Sequence, residues 1–195
     1  MTTPKGNWAS ATPTALSNRP LLRWKTVLKD PFDAWLPSEG VILIDSEGGV
    51  FSSGENSLGQ LGRSSGCALE FQRISNIPLM LAVTCGCSHP LSLDESGGVW
   101  SWGSGLFGQL GTGNTSNQQR PTLVPSLQRI SALVAGGLHS LAFSQEGGLL
   151  VFGRNARGQL GLNHTFNLST PALCPVLPAL PHSFTHSRKK SARFL

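Results

Sequence analysis

Residues 98–112 read GVWSWGSGLFGQLGT. Residues 49–63 read GVFSSGENSLGQLGR, and residues 148–162 read GLLVFGRNARGQLGL. The three stretches align without a gap, and each ends in Gly-Gln-Leu-Gly. Gly59, Gly108 and Gly158 open that tetrapeptide at spacings of 49 and 50 residues. Identity at a fixed period of this length is the signature of a repeat architecture, in which each unit is one supersecondary element stacked on its neighbours.

The periodicity extends beyond the tetrapeptide. Glycine pairs recur at Gly48-Gly49, Gly97-Gly98 and Gly147-Gly148. His89 and His139 lie 50 residues apart, within CGCSHPLSL and AGGLHSLAF. Arg120-Pro121-Thr122-Leu123 matches Thr170-Pro171-Ala172-Leu173 one period later, and Arg19-Pro20-Leu21-Leu22 about two periods earlier. The N-terminal stretch therefore reads as the tail of a preceding repeat. In the best-defined unit, residues 132–144 are apolar around Gly136-Gly137, Gln145-Glu146-Gly147-Gly148 is a turn, and residues 149–152 form a β-type run. Two such runs joined by a Gly-Gly turn make a hairpin. A polar stretch reaching Arg-Pro or Thr-Pro then leads to a further strand.

A unit of about fifty residues with about four strands has the size of a propeller blade. The expected fold is all-β: a partial, open β-propeller of about three to four blades. Its divisions are an N-terminal extension at 1–18, a remnant of a preceding repeat at 19–35, repeats at 36–84, 85–134 and 135–181, and a basic tail at 182–195.

The spacing and the words together resemble the repeats of the regulator of chromosome condensation family. There an apolar strand runs through Gly-x-x-His into a second strand. A Gly-Gly hairpin, an aromatic strand ending in Gly, and Asn-x-x-Gly-Gln-Leu-Gly follow. The matching pieces are Ala135-Gly136-Gly137-Leu138-His139-Ser140, Val151-Phe152-Gly153 and Asn155-Ala156-Arg157-Gly158-Gln159-Leu160-Gly161. The resemblance covers residues 19–177, and Gly40 stands at the histidine position of the first unit. It implies a module that binds proteins through loops around a ring. It also implies two alternatives: a guanine nucleotide exchange factor or other regulator of a small GTPase, and a fragment of a larger ubiquitin ligase or kinase with such a propeller. The family ring has seven blades. After Leu177 the sequence gives Pro178-Ala179-Leu180-Pro181 rather than another Gly-x-x-His strand, so closure within one copy is not expected. An open array would expose two apolar faces, and self-association to cover them is expected.

Composition agrees with short strands and many turns. The 195 residues include 23 Gly and 13 Pro, and only 13% are charged, about half the usual share. The net charge of +5 sits at the ends. Residues 36–184 hold six Arg against eight acidic residues, a net of −2. A nucleic-acid surface would put the basic excess on the folded body, so nucleic acid is not the expected partner. No apolar leader opens the sequence, and residues 75–93 are too polar to cross a membrane. Four cysteines are too few for a disulfide framework. A cytoplasmic location is expected, with the nucleus as the alternative.

Several motifs suggest chemistry without carrying it. Gly103-Ser104-Gly105-Leu106-Phe107-Gly108 is a literal dinucleotide fingerprint, but no βαβ unit surrounds it. Asn56 and Asn155 replace its middle glycine in the sister units. That exchange reads as a shared need for positive φ, which makes Gly105→Asn a mild change. It also puts Gly108→Val and Gly158→Val on an equal footing, each costing about 1–3 kcal/mol. Cys85-x-Cys87-x-His89 looks like a ligand set, yet only the histidine recurs, with Ala135 and Gly137 at the cysteine positions. Buried thiols and a hydrogen-bonded histidine are expected instead. The recurring Gln60, Gln109 and Gln159 suit loop hydrogen bonding rather than acid–base work. Catalytic, metal and cofactor residues are therefore expected to be absent, and the chain is not read as an enzyme. Arg188-Lys189-Lys190 reads as a solvated terminus rather than a localisation patch.

Overall fold

The computed structural model describes residues 25–27, 40–64 and 68–175. The expectations placed on residues 1–18 and 182–195 lie outside these. Twelve strands form three four-stranded sheets. The first contains β1 (Lys25–Val27), β2 (Gly40–Ile44), β3 (Val50–Gly54) and β4 (Ala68–Arg73). The second contains β5 (Met80–Cys85), β6 (Pro90–Asp94), β7 (Val99–Gly103) and β8 (Gln118–Leu123). The third contains β9 (Ile130–Ala135), β10 (His139–Ser144), β11 (Leu149–Gly153) and β12 (Leu168–Leu173). Every sheet is an antiparallel meander in sequence order, and no helix occurs among the described residues. This is the open, three-bladed all-β propeller that the repeat predicts.

The hairpin between the second and third strands is set by its turn chemistry. The Asp45 carboxylate accepts the backbone N–H of Glu47 and Gly49 at 2.9 and 2.7 Å. Asp94 accepts those of Ser96 and Gly98, both at 2.9 Å. A Cβ added at Gly98 would lie 2.6 Å from the Asp94 carboxylate. The second glycine of each Gly-Gly pair thus leaves room for the group that closes the turn. The hairpins register alike, with Gly40 opposite Gly54 and His139 opposite Gly153.

The first strands converge. β5 lies against β1 and β2 of the preceding sheet, and β9 against β5 and β6. The fourth strands pair on one side only, which explains the prolines. Pro121 and Pro171 lie within β8 and β12, where the pairing register shifts and a missing N–H costs no regular ladder bond. The strands therefore start before the Arg-Pro and Thr-Pro words rather than after them. The sequence repeat and the sheet are also out of phase. The unit at 36–84 contains β2, β3, β4 and most of β5, and that at 85–134 contains β6, β7, β8 and most of β9, so these two units each straddle two blades.

Two buried cores lie between sheets. Ile42, Ile44, Val50 and Ile74 meet Met80, Val83 and Trp102 between the first and second blades. Leu91, Leu93, Val99, Val124 and Leu127 meet Ile130, Ala142 and Phe152 between the second and third. Burying a single such side chain is worth about 1.5–3 kcal/mol, so these faces hold the array together.

Candidate interaction sites between the blades

Each Gly-Gln-Leu-Gly loop is closed by its own glutamine. Gln60, Gln109 and Gln159 accept the backbone N–H two residues back, at 2.9, 2.8 and 2.9 Å. The glutamines therefore satisfy loop backbone groups, as expected, but within their own loop. The loop then serves as a socket for the next blade. A Cβ at Gly59 would lie 2.8 Å from Gln118 O and from Gln119 Cα of β8. At Gly108 it would strike the Leu168 carbonyl and come to 2.5 Å from Ser169 Cα of β12. At Gly158 it would meet nothing within 4 Å among the described residues. All three glycines have positive φ, between 74° and 84°.

The closing glycine of the tetrapeptide receives an aromatic ring. Trp102 lies against Gly62, where an added Cβ would be 3.0 Å from its Nε1. Phe152 lies against Gly111, with 2.9 Å to its Cε2. Both rings are fully buried. At Gly161 the nearest group is the Sγ of Cys174 in the same blade, 3.6 Å away. In the first blade Ser53 stands where Trp102 and Phe152 stand in the others.

The polar links differ between the two filled interfaces. Trp102 donates its Nε1–H to Gln60 O at 3.0 Å. Phe152 has no such donor, and Ser140 donates its hydroxyl to Gln109 O instead, at 2.7 Å. Oγ of Ser140 also lies 3.0 Å from Nε2 of His89. Since the Ser140 proton is committed to Gln109 O, His89 donates from Nε2. Its Nδ1 is then an acceptor, and that atom has no partner among the described residues. Burial holds the His89 pKa down to about 4. The neighbouring His139 charge adds to this, and a backbone bond involving His139 opposes it. His139 is half-buried, and burial lowers its pKa too.

The expected roles of the other singled-out residues divide. His89 is buried and hydrogen-bonded as read from the sequence. Cys174 is buried, but Cys85 and Cys87 are only half-buried, because they lie where β5 turns towards β6 at the blade margin. Among the described residues, no three His, Cys, Asp or Glu side chains gather within a metal's reach.

The reading of Gly105 needs correction. Asn56 and Asn155 do not have positive φ, and neither does Gly105. The asparagines are there for their side chains. Asn56 donates Nδ2 to Arg63 O at 2.8 Å and accepts Leu61 N–H at 2.9 Å. Asn155 makes the same pair with His164 O and Leu160 N–H, at 2.8 and 3.0 Å. In the second blade the following loop has moved into the vacated space, so a Cβ at Gly105 would strike the Ser116 carbonyl. A glycine–asparagine exchange cannot by itself distinguish a backbone requirement from a side-chain clasp.

The geometry defines a β-propeller built of stacked blades, with its distinctive groups at the joints between them. Residues 96–143 match the regulator of chromosome condensation (RCC1) repeat. The solved structure of human WBSCR16 is similar at 27% identity with a TM-score of 0.61, covering 69% of this chain and 36% of that one. Yeast RCC1 (Prp20), solved with Kap60, is similar at 19% identity and a TM-score of 0.64, covering 70% of this chain and 35% of that one. Prp20p of Saccharomyces cerevisiae alone, described with its binding to Gsp1p and histones, gives 19% and 0.64 over 70% and 36%. No curated protein matches the sequence. The chain spans just over a third of each of these proteins. One stretch of the chain, residues 96–143, is thus similar to a regulator of chromosome condensation repeat.

Proposed function

We propose that the chain is a protein-interaction module without chemistry of its own, and that the trailing face of its third blade is a receiving surface. The observation that carries this reading is the contrast between Gly59 and Gly108, which receive a strand, and Gly158, which receives none among the described residues. In the same blade Leu141, Phe143 and Leu162 are only partly buried where they pack against Leu149, Val151 and Leu160. The occupant that fits is a blade of the same repeat class. It carries Trp or Phe at the end of its third strand, to seat under Gly161 as Trp102 and Phe152 seat under Gly62 and Gly111. The first blade of a second copy offers Ser53 there, which makes it a poorer occupant than a blade with an aromatic ring.

Light scattering and hydrophobic-dye binding test this reading, with Leu141→Lys/Phe143→Glu as the comparison. The native chain is expected to associate or bind dye, and the double variant to lose most of that behaviour. A compact native monomer that melts cooperatively and binds no dye overturns the reading. A second reading, action on a small GTPase, draws its support from the likeness to Prp20p, described with Gsp1p. It requires accelerated release of labelled guanine nucleotide from a small GTPase. Among the described residues Cys85, Cys87 and Cys174 form no disulfide, which fits a cytoplasmic or nuclear setting. Among the described residues no helix is long and apolar enough to cross a membrane.

A further inference from the structure

The loops at 103–117 and 153–167 follow β7 and β11 and adjoin across the joint between the second and third blades. Gly108 of the first lies against Leu168, just beyond the second. Two large apolar side chains stand out on these loops. Leu106 is 63% exposed and Phe166 is 75% exposed. Ser57 and Ala156 hold the Leu106 position in the sister blades, and Ser116 holds that of Phe166 in the second blade, so the repeat does not ask for either.

A row of contacts connects them. Phe107, next to Leu106, faces the Arg154 guanidinium at 5.2 Å from the ring centroid. Asn155, next to Arg154, donates Nδ2 to His164 O at 2.8 Å. The His164 ring lies against that of Phe166, with 5.7 Å between centroids. The row runs from Leu106 across the joint to Phe166, with Arg154 in its middle. Arg154 is held there without being satisfied. An aromatic face takes up the charge of a guanidinium and none of its five N–H donors. Among the described residues no acceptor receives a hydrogen bond from the Arg154 side chain. Glu55 and Ser104 stand at its position in the other blades, so stacking of the blades does not require it. The two loops hold Arg154 and Arg157 and no acidic residue, whereas the hairpin turns of the same blades hold Asp94, Glu95 and Glu146.

We propose that this row is a docking site for a segment of a partner protein in which a carboxylate stands between large apolar side chains. The carboxylate takes the two-pronged contact that a guanidinium fork offers. The flanking side chains cover Leu106 and Phe166. The charge of the loops selects an acidic segment, and two cations are too few to favour a nucleic-acid backbone, whose binding grows with each phosphate neutralised. The site is separate from the trailing face of the third blade and does not rest on that reading.

Ligand-observed NMR titration of the full chain with the capped peptide acetyl-Leu-Asp-Phe-amide tests the site. The expected result is saturable binding, about three- to tenfold tighter than that of the matching Asn peptide, the worth of one hydrogen bond to a charged group. Arg154→Gln should remove that preference for Asp over Asn. Phe166→Ser, which installs the residue of the sister loop, should weaken both peptides about threefold. Should either variant fail to fold in a urea melt, the other carries the test. Raising NaCl to about 0.5 M should weaken the Asp peptide and spare the Asn peptide. Leu141→Lys/Phe143→Glu should leave binding unchanged, and a loss there would move the site to the trailing face and overturn the proposal. Equal binding of the two peptides to the native chain overturns it, as does a preference that survives Arg154→Gln. Tighter binding by a short oligodeoxythymidylate overturns it in favour of nucleic acid.

Discussion

The second and third blades are built from the same words and live in different surroundings. His89, Leu91, Leu93 and Gln109 are all buried in the second blade. Their counterparts fifty residues on, His139, Leu141 and Phe143, are half-buried, and Gln159 is exposed. Nothing in the repeat sequence itself accounts for this, since Leu91 and Leu141 are the same residue at the same position. The difference is the third blade, which covers the trailing face of the second. A repeat position in such an array has no intrinsic burial, because its environment comes from the next unit.

The glycines that open the two loops give the largest expected difference. Gly108→Val must absorb the strain of a 81° φ and displace the β12 backbone. Gly158→Val meets the strain of a 74° φ alone. In urea melts the first is expected to cost about 4 kcal/mol and the second about 2, taking about 1–3 for backbone strain. Equal losses would mean that the third loop is covered as the second is, and would end the comparison.

Core truncation should follow the same division. Leu91→Ala removes a fully buried side chain and is expected to cost about 3 kcal/mol. Leu141→Ala removes a half-covered one and should cost about 1. A partner seated on the third blade would raise the second figure towards the first, so repeating the pair with a candidate partner sharpens the comparison into a binding assay.

Acid should also separate the two histidines. His89 has a folded pKa of about 4 against an unfolded value near 6.5. Above pH 6.5 both states are neutral there, and no stability depends on it. As pH falls from 6.5 towards 4 the unfolded chain takes up a proton that the native chain refuses, so stability falls. Between pH 7.5 and 5 the expected loss is about 2 kcal/mol. His89→Gln should flatten that slope, and His139→Gln should change it less. An unaltered slope in His89→Gln would place the acid-sensitive group elsewhere.

Identical words were enough to fix the strands, the hairpin turns and the stacking of like on like. Four Gly-Gln-Leu-Gly letters three times over leave little else for residues 49–63, 98–112 and 148–162 to be. The joints were less legible, because they are made where the repeats differ. Trp102 and Ser140 serve the same purpose, satisfying Gln60 O and Gln109 O, from different positions and with different chemistry. An alignment by position sees only Trp against Phe and Pro against Ser. The gap at Gly40 was visible only as a missing histidine. That it lies beside the buried Gln60 and His89 depends on packing across fifty residues, which no local word encodes.

The smallest expected effect tests the joint at which the sequence reading went astray. Gly105 looked replaceable because Asn56 and Asn155 stand at its position. Its backbone would indeed accept asparagine, as its φ is not positive. The obstacle is the loop at 113–117, whose Ser116 carbonyl occupies the place of the Cβ, while Asn117 accepts Gly105 N–H at 3.0 Å. Asn155 N–H makes the same bond to Asn167 at 2.8 Å, so that part of the joint does not depend on the glycine. Gly105→Asn therefore trades two terms. The Ser116 turn must retreat, and the new amide gains the clasp to Leu110 N–H that Asn56 and Asn155 make to Leu61 and Leu160. One hydrogen bond returns about 1 kcal/mol, against a loop displacement expected to cost about 2 within the usual range for overpacking. The net expectation is a loss of about 1 kcal/mol in a urea melt. A gain in stability would show that the loop yields freely and that the asparagine clasp is the preferred state of every blade. A loss as large as that of Gly108→Val would show that the loop at 113–117 is as rigid as the β12 backbone.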